Sequence, residues 1–222
     1  MAEVVFIYGR SGSGKSRSLI NFGENEVFVV NTLGKRMPFA KKFKYTSTTS
    51  NALEIMQLLE NMVQFKDAKI KAAVIDDGGY VLTSQFMAGH SKPKSGASSF
   101  QLYNDIADNM WNMLLNIKYK LPEDVIVYFV MHEDIDDNGI SKLKTIGKLL
   151  DQTVCLEGMS TICLHCIVRG NEHLFLTQSN GYDIAKSPEG MFPPEIPNDL
   201  AAVDKRIREY WGFEPINKKE SK

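Results

Sequence analysis

A glycine-rich motif follows the first apolar run of the chain. Residues 9–16 read Gly-Arg-Ser-Gly-Ser-Gly-Lys-Ser, which fits G-x-x-x-x-G-K-[ST], and residues 4–8 before them are Val-Val-Phe-Ile-Tyr. Residues 17–22, which follow the motif, form a helix-prone segment. A strand, this loop and a helix in that order are the context in which the pattern binds phosphate, so the chain is predicted to be an α/β protein built around a phosphate-binding loop.

The needs of a nucleoside triphosphate explain the residue types in this loop. Glycine lets backbone N–H groups approach phosphates closely, because it has no side chain and accepts positive φ. Lys15 is expected between the β- and γ-phosphates, and the Ser16 hydroxyl is expected to bind Mg²⁺. ATP and Mg²⁺ are therefore the predicted cofactors. The predicted nucleotide-binding residues are Gly9, Arg10, Ser11, Gly12, Ser13, Gly14, Lys15, Ser16 and Arg17.

Length and charge narrow the class of protein. The 222 residues, 43% of them hydrophobic, suit one domain, which we place at residues 1–213 with a polar tail at 214–222. The 26 Lys and Arg nearly balance the 27 Asp and Glu, so any contact with nucleic acid has to come from local patches. No apolar run approaches the roughly 20 residues that span a bilayer, so we expect no membrane segment.

The cysteines favour a cytoplasmic protein. Cys155, Cys163 and Cys166 are an odd number in a chain without a signal-like start, as is typical of a reducing compartment. Cys163 and Cys166 flank His165 and could suggest a metal or redox site, but no second ligand pair stands at zinc-site spacing. Because they lie in an alternating apolar run, we interpret them as core residues.

Apolar runs alternate with helix-like segments along the first part of the chain. Residues 4–8, 27–30, 72–75 and 125–131 are rich in Val, Ile and Phe without polar alternation, which predicts strands buried in a parallel sheet. Apolar residues at helical spacing predict one helix over residues 52–65 and another over residues 103–121.

The pattern changes after Met131. Apolar residues alternate over residues 162–168, a polar turn follows, and residues 174–176 are apolar again, which predicts an antiparallel hairpin beside the parallel strands. The proline-rich stretch at residues 188–197 is expected to be irregular, and Asp199 is expected to cap a final helix up to Tyr210.

The third apolar run ends in two aspartates. The sequence Ala-Ala-Val-Ile before Asp76 and Asp77 is a Walker B pattern, and a buried parallel strand brings such an aspartate to the sheet edge beside the phosphate loop. Asp76 is therefore the predicted Mg²⁺ partner and is expected to contact the metal through a water molecule. Asp77 stands where many related ATPases carry a catalytic glutamate, and two interpretations stay open for it: a residue that polarises the attacking water, or a turn aspartate before Gly78 and Gly79. The second strand is followed by Asn31 without a carboxylate, which favours Asp77 or weak hydrolysis.

The fourth apolar run ends at His132, followed by Glu133. A polar side chain at this edge can hydrogen-bond the γ-phosphate and report its presence, so His132 is a candidate sensor; it can equally be an ordinary strand-edge histidine. Glu133 is a secondary candidate for the base.

These features together resemble a known family. The loop, the strand ending at Asp76, the strand ending at His132 and the later hairpin resemble a RecA-like P-loop ATPase over residues 3–200. More narrowly, Gly147-Lys148 and the segment 180–192 are similar to the AAA-like phage nucleotide-binding proteins, relatives of the phage single-strand annealing recombinases. The resemblance implies a RecA-like fold, a homo-oligomer, and partners that include single-stranded DNA and a single-strand-binding protein, in the cytoplasm of a bacterial host.

The resemblance also implies a role for Lys186. In RecA-like helicases and filaments, a hairpin lysine, often followed two residues later by arginine, reaches a neighbour's γ-phosphate. Lys186 matches that lysine, but Pro188 stands where the arginine would be. A catalytic role in trans and a solvated surface lysine are both open, since one cation neutralises less transition-state charge than two.

Two further questions stay open at the level of sequence. DNA contact is expected on segment 84–100, which includes His90, Lys92, Lys94 and the aromatic residues Phe86 and Phe100. It is also considered for Lys142, Lys144 and Lys148, although lysines in a polar loop often serve solvation alone.

The alternative functions are a nucleotide-gated loader or adaptor with little hydrolysis, and a nucleotide kinase. The arginines are scattered, so the arginine-rich lid of a kinase is not expected.

Overall fold

The fold is described over most of the chain. The computed structural model describes residues 1–64, 70–90, 96–146, 151 and 154–215. In the helix that begins at residue 96, side chains are described from residue 101 onward. Its strands are β1 (Glu3–Gly9), β2 (Val27–Asn31), β3 (Tyr45–Ser47), β4 (Ala72–Asp76), β5 (Ile126–Ile135), β6 (Ser141–Leu143), β7 (Ile162–Arg169), β8 (Glu172–Leu176) and β9 (Glu195–Pro197). Its α-helices are α1 (Ala52–Met62), α2 (Gly79–His90), α3 (Gly96–Lys120) and α4 (Leu200–Trp211), with 3-10 helices at Ser16–Asn21 and Glu157–Met159.

One mostly parallel sheet organises these elements. The strand order is β3-β2-β4-β5-β1-β7-β8-β9, with β6 paired to the end of β5. The pairs from β3 to β7 are parallel, whereas β7–β8, β8–β9 and β5–β6 are antiparallel. The carboxyl ends of β1, β2, β4, β5 and β7 therefore meet at one edge of the sheet, where functional sites of open α/β sheets lie.

The sheet separates two apolar layers. Alternate residues of each central strand point to opposite faces, so Phe6 and Phe129 pack in one layer and Ile7 and Val130 in the other. The first layer is covered by α1 and α3 with part of α2, and the second by α4 and the first 3-10 helix. Burial of both faces explains why these strands carry continuous apolar runs. No helix in the described ranges is both long and apolar enough to cross a membrane.

The main sequence predictions about architecture are confirmed. The protein is α/β, with a mostly parallel central sheet, flanking helices and an antiparallel hairpin formed by β7 and β8. Asp199 caps α4 as expected, since its Oδ1 accepts the N–H groups of Ala201 and Ala202 at 3.0 and 3.1 Å. The predicted strand ending at Met131 continues to Ile135, because β6 pairs with its last residues. Most of the expected tail, residues 216–222, lies outside the described residues.

The helix expected after the phosphate loop is shorter than predicted. Only the six residues Ser16–Asn21 are helical, and the turn type is 3-10. Phe22 is already extended, and the Lys41 ammonium caps the helix end by donating to the carbonyls of Ile20 and Phe22 at 2.8 and 2.6 Å. Since a side chain satisfies these carbonyls, the chain can leave the helix after about two turns and continue towards β2.

Part of segment 84–100, on which DNA contact is expected from sequence, is helical. Residues 84–90 belong to α2, which begins at Gly79, and Phe86 stacks on His90 with ring centroids 5.2 Å apart. Phe86 also packs against the first apolar layer, which disfavours the contact with DNA that was considered for it from sequence. The turn considered from sequence around Gly78 and Gly79 covers only residues 77–78, because α2 begins at Gly79. Lys92 and Lys94 lie outside the described residues.

A buried ion pair ties α4 to the sheet. The Arg208 guanidinium, 2% exposed, donates from Nε to Asp204 at 2.6 Å and reaches the carbonyl oxygens of Asp124 and Lys71 at 2.7 and 2.9 Å. Asp204 also accepts the Tyr128 hydroxyl at 2.8 Å. Both charges are thus paired and hydrogen-bonded, which is the condition under which ions tolerate burial.

Replacing one member of this pair should destabilise the fold strongly. Asp204→Ala leaves the Arg208 charge buried without its carboxylate, and we expect the free energy of unfolding in urea to fall by about 3–5 kcal/mol. Tyr128→Phe removes a single hydroxyl and should cost about 1 kcal/mol. Lys205→Ala, on the exposed side of the same helix, is the control and should change stability by less than about 0.5 kcal/mol. Equal losses for Asp204→Ala and Lys205→Ala would contradict the assignment.

Candidate phosphate-binding site

The glycine-rich loop begins where β1 ends, and two of its glycines are needed for steric reasons. A Cβ at Gly9 would lie 2.2 Å from the carbonyl oxygen of Cys166 on the neighbouring strand β7. Gly14 has φ +100°, and a Cβ there would lie 2.8 Å from Nδ1 of His173. The loop therefore runs so close to the hairpin strands that only glycine fits at these positions.

Side chains from β7, from β8 and from the residue after β9 hold the backbone of the loop in place. The Ser13 carbonyl oxygen accepts the Cys166 thiol at 3.0 Å and lies 2.7 Å from Nδ1 of His173. Asn198 in turn donates to the Cys166 sulfur at 3.0 Å. Sequence reasoning missed these three residues, because they are more than a hundred positions from the loop and no local pattern links them to it.

The cysteine interpretation made from sequence fits this arrangement. Cys163 packs in the first apolar layer and Cys166 in the second, so their sulfurs lie on opposite faces of the sheet. Within the described ranges, no three His, Cys, Asp or Glu side chains come together as a metal-binding group. Burial raises the pKa of Cys163 to about 12 and that of Cys166 to about 11. Both are core thiols, and Cys166 also anchors the loop.

Lys15 lies within the loop and is almost fully buried. Its ammonium donates to the carbonyl oxygens of Gly9 and Arg10, both at 2.7 Å. Burial lowers the pKa of Lys15, while nearby carboxylates, including Asp77, act in the opposite direction. The ammonium of Lys15 is thus held within the loop by two neutral carbonyl groups.

The two predicted metal ligands lie together. The Ser16 hydroxyl donates to Oδ1 of Asp76 at 2.7 Å, although the two residues are far apart in sequence. Burial raises the pKa of Asp76, and the neighbouring Asp77 adds to this, while the bond from Ser16 opposes it. A hydroxyl and a carboxylate at the edge of an open cleft are hard oxygen ligands of the kind that Mg²⁺ uses beside phosphate and water, so the residues fit this ion.

Asp77 occupies a conformation that needs an explanation. It is 4% exposed and has φ 55°, the one positive φ among the described non-glycine residues. Oδ2 forms an ion pair with Lys35, and Oδ1 lies 3.4 Å from Nε2 of His132. Burial alone would raise the pKa of Asp77, but His132 and Lys35 outweigh it and hold the pKa at about 2. Asp77 is therefore ionised and in contact with Lys35 and His132. It does more than the simple turn aspartate considered from sequence.

Lys35 is the clearest omission of the sequence reasoning. The end of β2 has no carboxylate, but the loop that follows it contributes a cation to the cleft. Lys35 and Arg36 line one cleft of about 410 Å³ together with Lys15, Ser16, Arg17, Asp76, Asp77 and His132. The cleft thus collects the predicted metal ligands, the loop lysine and the candidate sensor.

Glu133 belongs to a different cluster. Its Oε1 accepts Arg10 at 2.7 Å, and its Oε2 lies 2.9 Å from Nε2 of His165 and accepts the Ser141 hydroxyl at 3.1 Å. These contacts hold its pKa low despite burial. The cluster lines a second cavity of about 520 Å³ on the other side of the loop, which contains neither Lys15 nor Asp76. Both oxygens are engaged there, which argues against Glu133 as the base.

The remaining candidates lie apart from the cleft. Lys186 forms a backbone bridge with Cys163, which lies two residues before the end of the stretch of β7 that pairs with β1. Lys186 is not among the residues that line the cleft. Lys142 is paired with Asp151 at 2.7 Å, which reduces its availability for DNA, and Lys144 is exposed. Gly147 and Lys148 lie outside the described residues.

Comparison with known proteins does not extend these observations. No protein-family model matches the chain, and no curated protein is significantly similar to it in sequence.

The burial of two thiols predicts a labelling pattern. With a maleimide reagent at pH 8, we expect Cys155, which is exposed, to react in the folded protein, and all three cysteines to react in denaturant, because thiolate fraction and access control the rate. Cys155→Ser should abolish the rapid phase. Rapid reaction of two or more thiols in the native protein would contradict the assigned roles of Cys163 and Cys166.

Proposed function

We propose that this chain is a Mg²⁺-dependent ATP-binding protein and an ATPase of the RecA-like P-loop type. The observation that carries the proposal is the 2.7 Å bond between the Ser16 hydroxyl and Asp76 beside a loop that holds Lys15. The motif alone is a local pattern. Its convergence with a buried carboxylate from another strand is the arrangement that a metal–triphosphate complex requires.

Each residue of the cleft has a distinct part in this proposal. The amides of the glycine-rich loop surround the phosphates, and Lys15 exchanges its two carbonyl partners for phosphate oxygens. Ser16 and Asp76 hold Mg²⁺, whose role is to neutralise charge on the phosphates. Asp77 is ionised and so is able to accept a hydrogen bond from the attacking water, and His132 lies beside it to contact the outermost phosphate.

The wider part of the proposal rests on the family resemblance. It holds that the protein works as a homo-oligomer on single-stranded DNA in phage recombination or replication, together with a single-strand-binding protein, in the host cytoplasm. Lys186 would then act on the site of a neighbouring subunit, which agrees with its position away from the cleft of its own chain. DNA contact would fall on segment 84–100 and on the residues that follow β6, where Lys144 is exposed.

One observation favours a second candidate function. Asp77 is tied up by Lys35 and His132, and a carboxylate with a pKa of about 2 is a weak base. A site of this kind can bind nucleotide and hydrolyse it slowly. The alternative is therefore a nucleotide-gated loader or adaptor, in which ATP occupancy matters more than turnover.

Nucleotide binding is the first test. Titration with a fluorescent ATP analogue should give saturable binding that weakens when Mg²⁺ is removed with EDTA. Lys15→Ala should weaken binding by at least about tenfold, because a charge-assisted phosphate contact is lost. Asp76→Ala should remove most of the Mg²⁺ dependence, while Lys205→Ala should bind like the original protein. Undiminished affinity in Lys15→Ala would overturn the assignment of the loop.

Turnover and assembly separate the candidate functions. For the ATPase, phosphate release should rise several-fold with single-stranded DNA, and light scattering should detect an oligomer when ATP and Mg²⁺ are present. Lys186→Ala should then lower turnover while nucleotide affinity stays unchanged, because the lysine acts across subunits. Binding with slow, DNA-independent turnover indicates the adaptor. Phosphate transfer to a nucleoside monophosphate would instead establish a kinase.

A further inference from the structure

The loop after β2 is fixed against the ends of the strands that carry the site. The Asn31 side chain forms two bonds with the backbone of Lys35: its Oδ1 accepts the Lys35 N–H at 3.2 Å, and its Nδ2 donates to the Lys35 carbonyl at 2.5 Å. Gly34, with φ +65°, allows the tight turn between them. The hydroxyl of Thr32 donates to the carbonyls of Asp76 and Asp77, both at 3.0 Å. The backbone of Lys35 is therefore held at the cleft.

The side chain of Lys35 has more freedom than its backbone. The Lys35 side chain is 56% exposed, whereas the side chain of Asp77, its partner, is buried. The ammonium sits at the end of a flexible four-carbon chain, so it can turn to a new acceptor without moving the loop. The acceptors within the same cleft are the ones that a nucleotide would bring, since Lys35 lines it together with Lys15 and Ser16.

The charges in the cleft give a reason for such a move. Asp76 and Asp77 are adjacent carboxylates, and a terminal phosphate adds up to about two more negative charges beside them. The triphosphate competes with a single carboxylate for the ammonium of Lys35, and it competes best at its outer end, because the terminal phosphate carries the most negative charge. A diphosphate lacks that outer group.

We propose that Lys35 is a second phosphate-binding lysine of this site, which exchanges Asp77 for the outermost phosphate when a nucleoside triphosphate binds. The inference rests on the proposed function and adds to it a residue that distinguishes triphosphate from diphosphate. The exchange also releases one oxygen of Asp77 in the triphosphate-bound state only. Asp77 thereby stays paired with Lys35 until a triphosphate, and not a diphosphate, occupies the site.

A purely structural role for the ion pair gives a different expectation. If Lys35 served only to hold Asp77, its loss would affect triphosphate and diphosphate alike, through the shape of the site. Replacement of Lys35 would then lower both affinities by the same factor. The ratio of the two affinities is therefore the informative measurement.

The test compares a non-hydrolysable ATP analogue with ADP, each with Mg²⁺, by calorimetric titration. In Lys35→Ala we expect the Kd for the analogue to rise about tenfold and the Kd for ADP to change less than about twofold, as for loss of one charge-assisted contact to the outer phosphate. Lys35→Arg should retain most of the preference. Arg36→Ala is the matched control, because it removes the neighbouring cation of the same cleft, and it should leave the ratio unchanged.

Asp77→Asn tests the exchange from the other side. Asparagine accepts the left-handed conformation of this position, so the backbone should be retained. Freed from its carboxylate partner, Lys35 should bind the analogue more tightly, and the gain in preference for triphosphate should vanish in the double variant with Lys35→Ala.

The outcomes separate this inference from the proposed function. Binding of both nucleotides by the original protein, with an unchanged ratio in Lys35→Ala, would overturn the role of Lys35 and leave the proposed function intact. Absence of binding of either nucleotide to the original protein would overturn both. Thermal unfolding of each variant shows whether a loss of affinity reflects a loss of fold.

Discussion

The parallel pairing of β1 between β5 and β7 is the constraint on which the site depends. It sets Gly9 opposite His132 on one side and Tyr8 opposite His165 on the other. With this register, the carbonyl of Cys166 comes so close to Gly9 that a side chain could not be accommodated. The loop must therefore leave the sheet edge as a glycine turn. The parallel pairing of β4 with β5 brings the ends of these two strands to the same cleft, and so Asp77 beside His132.

The short helix after the loop changes the source of positive charge in the site. A long helix would add the partial charge of its N-terminus and several aligned amides. Here the helix has six residues and ends at the Lys41 cap. The loop is instead supported by the hairpin, through Cys166 and His173, and the positive charge of the cleft comes from side chains. Because the short helix contributes little positive charge, an additional lysine such as Lys35 is consistent with this arrangement.

What could be predicted from sequence follows the range of the interactions. Strands buried on both faces leave continuous apolar runs, so the parallel sheet, the strand that carries Asp76 and the hairpin were predictable. Ser16 and Asp76 were also predictable as neighbours, because a loop motif and a strand end each have a local pattern. By contrast, α2 was missed because its start, Gly78-Gly79, has the composition of a turn. The three-residue strands β3, β6 and β9 are too short to show a period.

Lys35 was not predictable for a related reason. Nothing in Gly-Lys-Arg identifies a site residue, and only the return of the loop against β4 gives the lysine its position. The backbone conformation of Asp77 explains why this loop, with Lys35, comes to lie beside the Asp77 carboxylate. Its left-handed φ turns the side chain away from the path that a continuing strand would take, and towards Lys35 and His132. Strain of this kind persists only where surrounding contacts hold it, and it concentrates at functional positions. The two hydrogen bonds from Thr32 hold it here, so the conformation of Asp77 and the position of Lys35 depend on one another.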